Sequence, residues 1–261
     1  MEQIFLWIGF FVFVVALLYM DLVVFNKKDH DIKLKEALRY SALWISIAAI
    51  FNIFIYFYFG HVKALEFLAG YLIEESLSID NLFVFLMIFS FFKVPAKYQH
   101  RVLFYGILSA IVMRLIFIFA GVVLVSKFHW VIYIFGAFLV VSGIKMITKK
   151  EDHEDLEKNK AIKLLKKFIP VTHSYHGHSF LIKEAGKYVA TPLLVVLVAV
   201  ETSDLAFAVD SIPAVLSVSV DPFIVYTSNI FAILGLRSLY FALAGLMPLF
   251  RFLKYGLSAI L

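Results

Sequence analysis

The chain reads as an all-α polytopic membrane protein: two inverted three-helix repeats preceded by two N-terminal helices, the last helix being cut short. Three observations predict this class. Of 261 residues, 62% are apolar and only 16% charged, with a mean hydropathy of +0.92, a balance foreign to soluble domains. Apolar stretches recur at the length of about 20 residues that a helix needs to cross hydrocarbon. Basic residues alternate strictly from one connecting segment to the next.

The first span covers residues 4–25. Its flank carries Glu2 and no Lys or Arg, and no small-residue cleavage site follows, so it reads as a retained span and not a cleaved signal. Further spans cover residues 41–59, 64–92, 102–125, 130–148, 191–217 and 222–246. An eighth begins near Phe252 and stops at Leu261, too short to cross. The expected divisions are residues 1–63, two N-terminal helices and a cytoplasmic loop; 64–148, a first three-helix repeat; 149–190, a cytoplasmic linker; and 191–261, a second, incomplete repeat.

Orientation follows from charge. One set of connections holds Lys27, Lys28, Lys33, Lys35 and Arg39, then Lys93, Lys97 and Arg101, then nine Lys between residues 149 and 187, then Arg251 and Lys254. The other set holds only Lys63 and Lys127. The basic set is expected in the cytoplasm, with the N-terminus outside. The net charge of +5 thus reports topology, and no nucleic-acid partner is expected. Cysteine is absent, which excludes disulfides, iron–sulfur clusters and thiolate metal sites within these residues.

The repeat rests on short similarities. Phe117-Ile118-Phe119-Ala120-Gly121 resembles Phe241-Ala242-Leu243-Ala244-Gly245, and Arg114 and Arg237 lie just before them. Glu74 and Asp80 stand six apart in the third span, as Asp204 and Asp210 do in the sixth; an ungapped shift of 124 residues instead pairs Asp80 with Asp204. Three helices per unit invert the second copy, with a site expected where the two units meet near the midplane.

The functional signal is acid placed where hydrocarbon belongs. A carboxylate at bilayer depth costs roughly 2.5–3.5 kcal/mol on insertion scales, so a cluster of them calls for a cation. Glu201 and Asp204 are three residues apart and share a helix face, with Asp210 about 120° away. Pro213 favours a break nearby, and Gly70, Ser76 and Ser78 suggest a similar weak point in the third span. The expected ligands are Glu74, Asp80, Asn81, Glu201, Asp204, Asp210 and Ser211, with Arg114 and Arg237 balancing charge. Such oxygen donors suit Mg²⁺, Ca²⁺ or Mn²⁺. Proton exchange is a hypothesis consistent with buried carboxylates. The plainer alternative has the acids forming buried salt bridges with the two arginines and only fixing helix packing. Glu75 reads as a spare acid facing water or the helix exterior.

The segments EESLSIDNLFVF (residues 74–85), ETSDLAFAVDSIPAV (201–215) and DPFIVYTSNIFAILGLRSLYF (221–241) resemble the TerC family of bacterial inner-membrane proteins. The resemblance covers residues 64–261, and the first two spans are similar to its longer, Alx-like branch. It implies a non-enzymatic manganese exporter of the cytoplasmic membrane, protection against metal excess, metal supply to exported proteins and an association with tellurite-resistance operons. Carried over to this chain, the implied acids are Glu74, Asp80, Glu201, Asp204 and Asp210, with Asn81, Ser211 and Asn229 as polar neighbours; Ser78 is a further polar neighbour. The expected partners are the lipid bilayer, a divalent metal ion and the secretion machinery.

Weaker features remain. His173, His176 and His178 form a candidate loop metal site, although solvated loop composition explains them as well. Residues 158–168 suit a short amphipathic helix on the inner leaflet. Rival functions are a metal chaperone or adaptor that hands metal on without transport, an intramembrane aspartyl protease using Asp80 and Asp210, and an anion carrier. The last two fit poorly: no glycine flanks either Asp, and an anion site would be net positive.

Overall fold

The computed structural model describes residues 2–20, 34–148, 160–172, 174–184 and 186–246, without the side chains of Glu2, Asp80, residues 142–148 and Lys160. The chain divides into two compact units, residues 1–31 and 32–261. The first holds α1 (Glu2–Met20), 19 residues long and so about 28 Å, close to the hydrocarbon thickness.

In the second unit α2 (Leu34–Phe59) turns at Gly60 into α3 (His61–Phe91). Gly60 has φ +90, a left-handed value that glycine adopts without a Cβ clash. A turn through Lys93 (φ +50) leads to α4 (Ala96–Lys127), with α5 (Val131–Thr148) after it. The linker carries α6 (Lys160–Phe168), β1 (Leu181–Glu184) and β2 (Lys187–Ala190). Then come α7 (Pro192–Leu216) and α8 (Pro222–Leu246). Five described helices (α1, α2, α4, α7 and α8) are long and apolar enough to span a membrane. The all-helical, polytopic class expected from the sequence is thus observed. The short eighth span lies outside the described residues.

α3 and α4 have 31 and 32 residues, about 46–48 Å of helix, and so overrun the hydrocarbon. The reading of 64–92 comes within three residues of α3 at each end, whereas that of 102–125 stopped where hydropathy falls and the backbone of α4 continues through a polar start that includes Lys97 and Arg101.

The expected breaks are absent. α3 runs unbroken because its serines bond back within the helix: Ser76 Oγ donates to Leu72 O at 2.7 Å and Ser78 Oγ to Glu74 Oε1 at 3.2 Å. Pro213 sits in the closing turns of α7, where the chain stays helical to Leu216 and the Ser217 N–H is donated to Pro213 O. A proline so near the end removes one donor and the helix stops soon after.

α8 is the core. Its residues from Phe223 to Ala242 are almost all buried, because α2, α3 and α4 pack around it while α7 packs on α3, α4 and α5. Phe231 of α8 meets Phe51 of α2 and Phe67 of α3 at ring-centroid distances of 4.7 and 5.9 Å, an aromatic joint worth more than its area. At one end Lys63 pairs with Glu66 at 2.8 Å and with Asp221 at 3.3 Å. Asp221 Oδ1 in turn accepts the Phe223 N–H at 3.1 Å, capping α8. The periphery is apolar, with Phe57 and Tyr133 each 81% exposed, as lipid contact demands.

The linker departs from a plain loop. β1 and β2 form an antiparallel hairpin pairing Leu181 with Ala190 and Glu184 with Lys187. The signal was the Ala185-Gly186 pair between the two short runs; Gly186 has φ +81.

Helix contacts depend on small residues. A Cβ on Gly70 would lie 2.8 Å from Ser228 Oγ and 3.2 Å from Val215 Cγ1. Gly70→Val is therefore expected to destabilise the helical body by about 1–3 kcal/mol, read as a lower Tm of the detergent-solubilised chain.

Candidate functional site

The interior charges gather where α3, α4, α7 and α8 meet. Glu74 of α3 is fully buried, and Arg114 of α4 is 1% exposed. Their ion pair, Arg114 Nη1 to Glu74 Oε2, spans 2.5 Å. The same Nη1 donates to Asn229 Oδ1 of α8 at 2.5 Å, and Asn229 Nδ2 donates to Val225 O at 2.9 Å. Ser78 holds the other Glu74 oxygen. The guanidinium is always charged, so in hydrocarbon it needs this anion.

Asp204 of α7 is nine-tenths buried and lies in the electrostatic reach of both Arg114 and Glu74. Its Oδ2, closed off from solvent, accepts no hydrogen bond among the described residues, and the buried Ser211 Oγ is likewise without one. Glu201, one turn earlier, is half-buried. Glu201 and Asp204 together border a cavity of about 20 Å³, which Arg237 of α8 also lines; that volume admits a water molecule or a bare cation. Gly106 of α4 lines it too, and a Cβ there would lie 3.8 Å from Glu201 Oε1. The remaining walls are apolar, among them Leu82, Phe85 and Ile233.

The other expected residues distribute as follows. Asn81 is buried on α3, and the Asp80 side chain lies outside the described residues. Asp210 is half-buried and does not line the cavity, because without a break it keeps its angular offset from Asp204. Among the described residues no three His, Asp or Glu side chains are grouped closely enough to hold a metal ion. In the linker, His173 is not described. His176 Nε2 sits 3.0 Å from Ser174 Oγ, and His178 meets the Tyr98 ring edge-on at 5.1 Å. Tyr175 OH donates to Phe92 O at 2.8 Å, and burial pushes its phenol above the usual tyrosine range.

Glu75 was missed. It does not face water: its Oε2 is sealed from solvent and has no hydrogen-bond partner among the described residues. A Cβ on Gly235 would meet its Oε1 at 3.9 Å and Trp44 Cβ at 3.7 Å. The signal was adjacency itself. Neighbouring helical residues point about 100° apart, so a Glu74 facing α4 turns Glu75 toward α8 and α2.

Fold and site together define a helical integral membrane protein with charged side chains buried in its interior. Residues 59–261 match the integral membrane protein TerC family, and the chain belongs to that family. It is 53% identical over 98% of its length to "Uncharacterized membrane protein STKORF319" of Myxococcus xanthus, covering 80% of that protein. It is 46% identical, again over 98% of its length, to "Putative membrane-bound redox modulator Alx" of Escherichia coli K12, covering 83% of that relative. A membrane protein of Rickettsia bellii is 41% identical over 98% of this chain and 84% of its own length. No solved structure matches.

The Arg114–Glu74 pair is testable by stability. Arg114→Met leaves a buried anion and is expected to cost about 3–5 kcal/mol, whereas adding Glu74→Leu should recover most of that loss. Unfolding of both variants in the same detergent measures the coupling.

Proposed function

We propose that this chain exports a divalent metal cation, with Mn²⁺ as cargo, across the cytoplasmic membrane of a bacterium. The observation that carries the reading is the pair Glu201 and Asp204 bordering one cavity, with Asp204 Oδ2 unpartnered among the described residues. Oxygen donors without thiolate favour hard cations, and membership of the family leads to manganese among them. Glu74, closed on Arg114, serves as counter-ion to the guanidinium more than as an open ligand. Asn81, Asp210 and Ser211 do not line the cavity and would join as ligands only after a shift of α3 or α7; Asp80 is a further proposed ligand. Arg237, which lines the same cavity, supplies positive charge there when no metal is bound. Protons are the proposed counter-ion for transport.

The redox wording in the relatives' names finds no thiol here, since the chain lacks cysteine. The rival adaptor reading has the same acids bind metal without flux. Manganese content of cells expressing the chain separates the two. Export predicts lower content with the wild type, and a loss of about tenfold or more in flux for Glu201→Gln or Asp204→Asn, the scale of ligand-shell effects. Competition by Ca²⁺ and Mg²⁺ ranks the cargo. Vesicle flux indifferent to an imposed pH gradient counts against proton exchange.

The distribution of basic residues supports a cytoplasmic linker and an external N-terminus. Because the chain has no cysteine, single introduced thiols report topology. Lys127→Cys is expected to react with an impermeant maleimide in intact cells and Ser174→Cys only after lysis.

A further inference from the structure

Helix α6 has three distinct sides, and the ion-handling interior uses none of them. At 100° per residue, Lys163, Lys166 and Lys167 fall within one 100° arc, Leu164 and Phe168 on the arc that adjoins it past Lys167, and Ile162 on the other flank, beyond Lys166. Ile162 is 3% exposed, and α6 packs on α7. Leu164 and Phe168 are 57% and 74% exposed, and all three lysines are exposed.

Position gives these sides meaning. Just past α6, Pro170 O accepts the Ala190 N–H at 2.8 Å, and the Thr172 N–H is donated to Ala190 O at 2.9 Å. Ala190 lies two residues before Pro192, the first residue of α7. The C-terminal end of α6 is therefore pinned at the level where a transmembrane helix begins, the boundary between hydrocarbon and water. A helix held there with an exposed Leu–Phe edge and a lysine arc suits a bilayer surface, the apolar edge sinking in and the lysine stems reaching toward headgroups. Four lysines (Lys160, Lys163, Lys166 and Lys167) and no acid within α6 make the complementary surface negative.

We propose that α6 is a docking element for anionic phospholipid on the leaflet where α7 starts, fixing the linker to the membrane. The occupant is the bilayer itself, not a free phosphate: the apolar edge has no role with a soluble anion. Each lysine at such a surface contributes roughly a fivefold preference for it.

The test uses the full chain, with Leu164→Cys as its single thiol, labelled with an environment-sensitive dye. The labelled protein is placed in nanodiscs of phosphatidylcholine with increasing phosphatidylglycerol. The expected result is a blue-shifted emission quenched by lipids brominated on the acyl chain, rising with the phosphatidylglycerol fraction. Lys163→Gln, Lys166→Gln and Lys167→Gln together should move the response several-fold toward higher phosphatidylglycerol. A dye quenched by aqueous iodide at every composition overturns the proposal. So does a dye shielded from iodide yet untouched by brominated lipid, which would place protein over this edge, and so does a response independent of phosphatidylglycerol. Soluble glycerol phosphate that abolishes the response would assign the lysines to a free anion instead.

Discussion

Arg114 is the constraint around which the interior is arranged. A guanidinium cannot shed its proton, and at this depth it must be neutralised by something equally buried. Glu74 from α3 meets it directly, Asn229 from α8 accepts from it, and Asp204 from α7 lies within its field. Three helices thus converge on one side chain of α4. Buried ion pairs of this kind are weak devices for stability, because an apolar replacement of both partners is often as good. Their retention makes more sense as a means of fixing a charge at a chosen depth.

That arrangement splits the acids into two kinds. Glu74 is committed, with one oxygen on Arg114 and the other on Ser78. Glu201 and Asp204 border the cavity, which Arg237 also lines. In the proposed cycle the second group does the exchanging, while the first keeps the local field constant. Selectivity would then rest on oxygen donors working in a space too small for a hydrated ion. Dehydration at the mouth would be part of the cost of passage.

Much of this was readable beforehand. Span length and the alternation of basic residues found the helices, and three-residue spacing placed Glu201 and Asp204 on a common face. What escaped reading depended on neighbours in space. Asn229 was named only through resemblance, and nothing along the chain places it against Arg114, 115 residues away. Glu75 was assigned to the exterior because the residue it approaches, Gly235, lies on another helix. The breaks expected at Ser76, Ser78 and Pro213 did not occur because hydroxyls can bond to their own helix, and because a proline near a helix end disturbs little. The hairpin in the linker, four residues per strand, is too short for alternation to stand out.

Helix α2 lies before the stretch that matches the family, which begins at residue 59, yet it is not a detachable anchor. Trp44 packs beside Gly235, where Glu75 also approaches, and Phe51 meets Phe231. In this chain α2 insulates an acid that would otherwise open sideways onto oil.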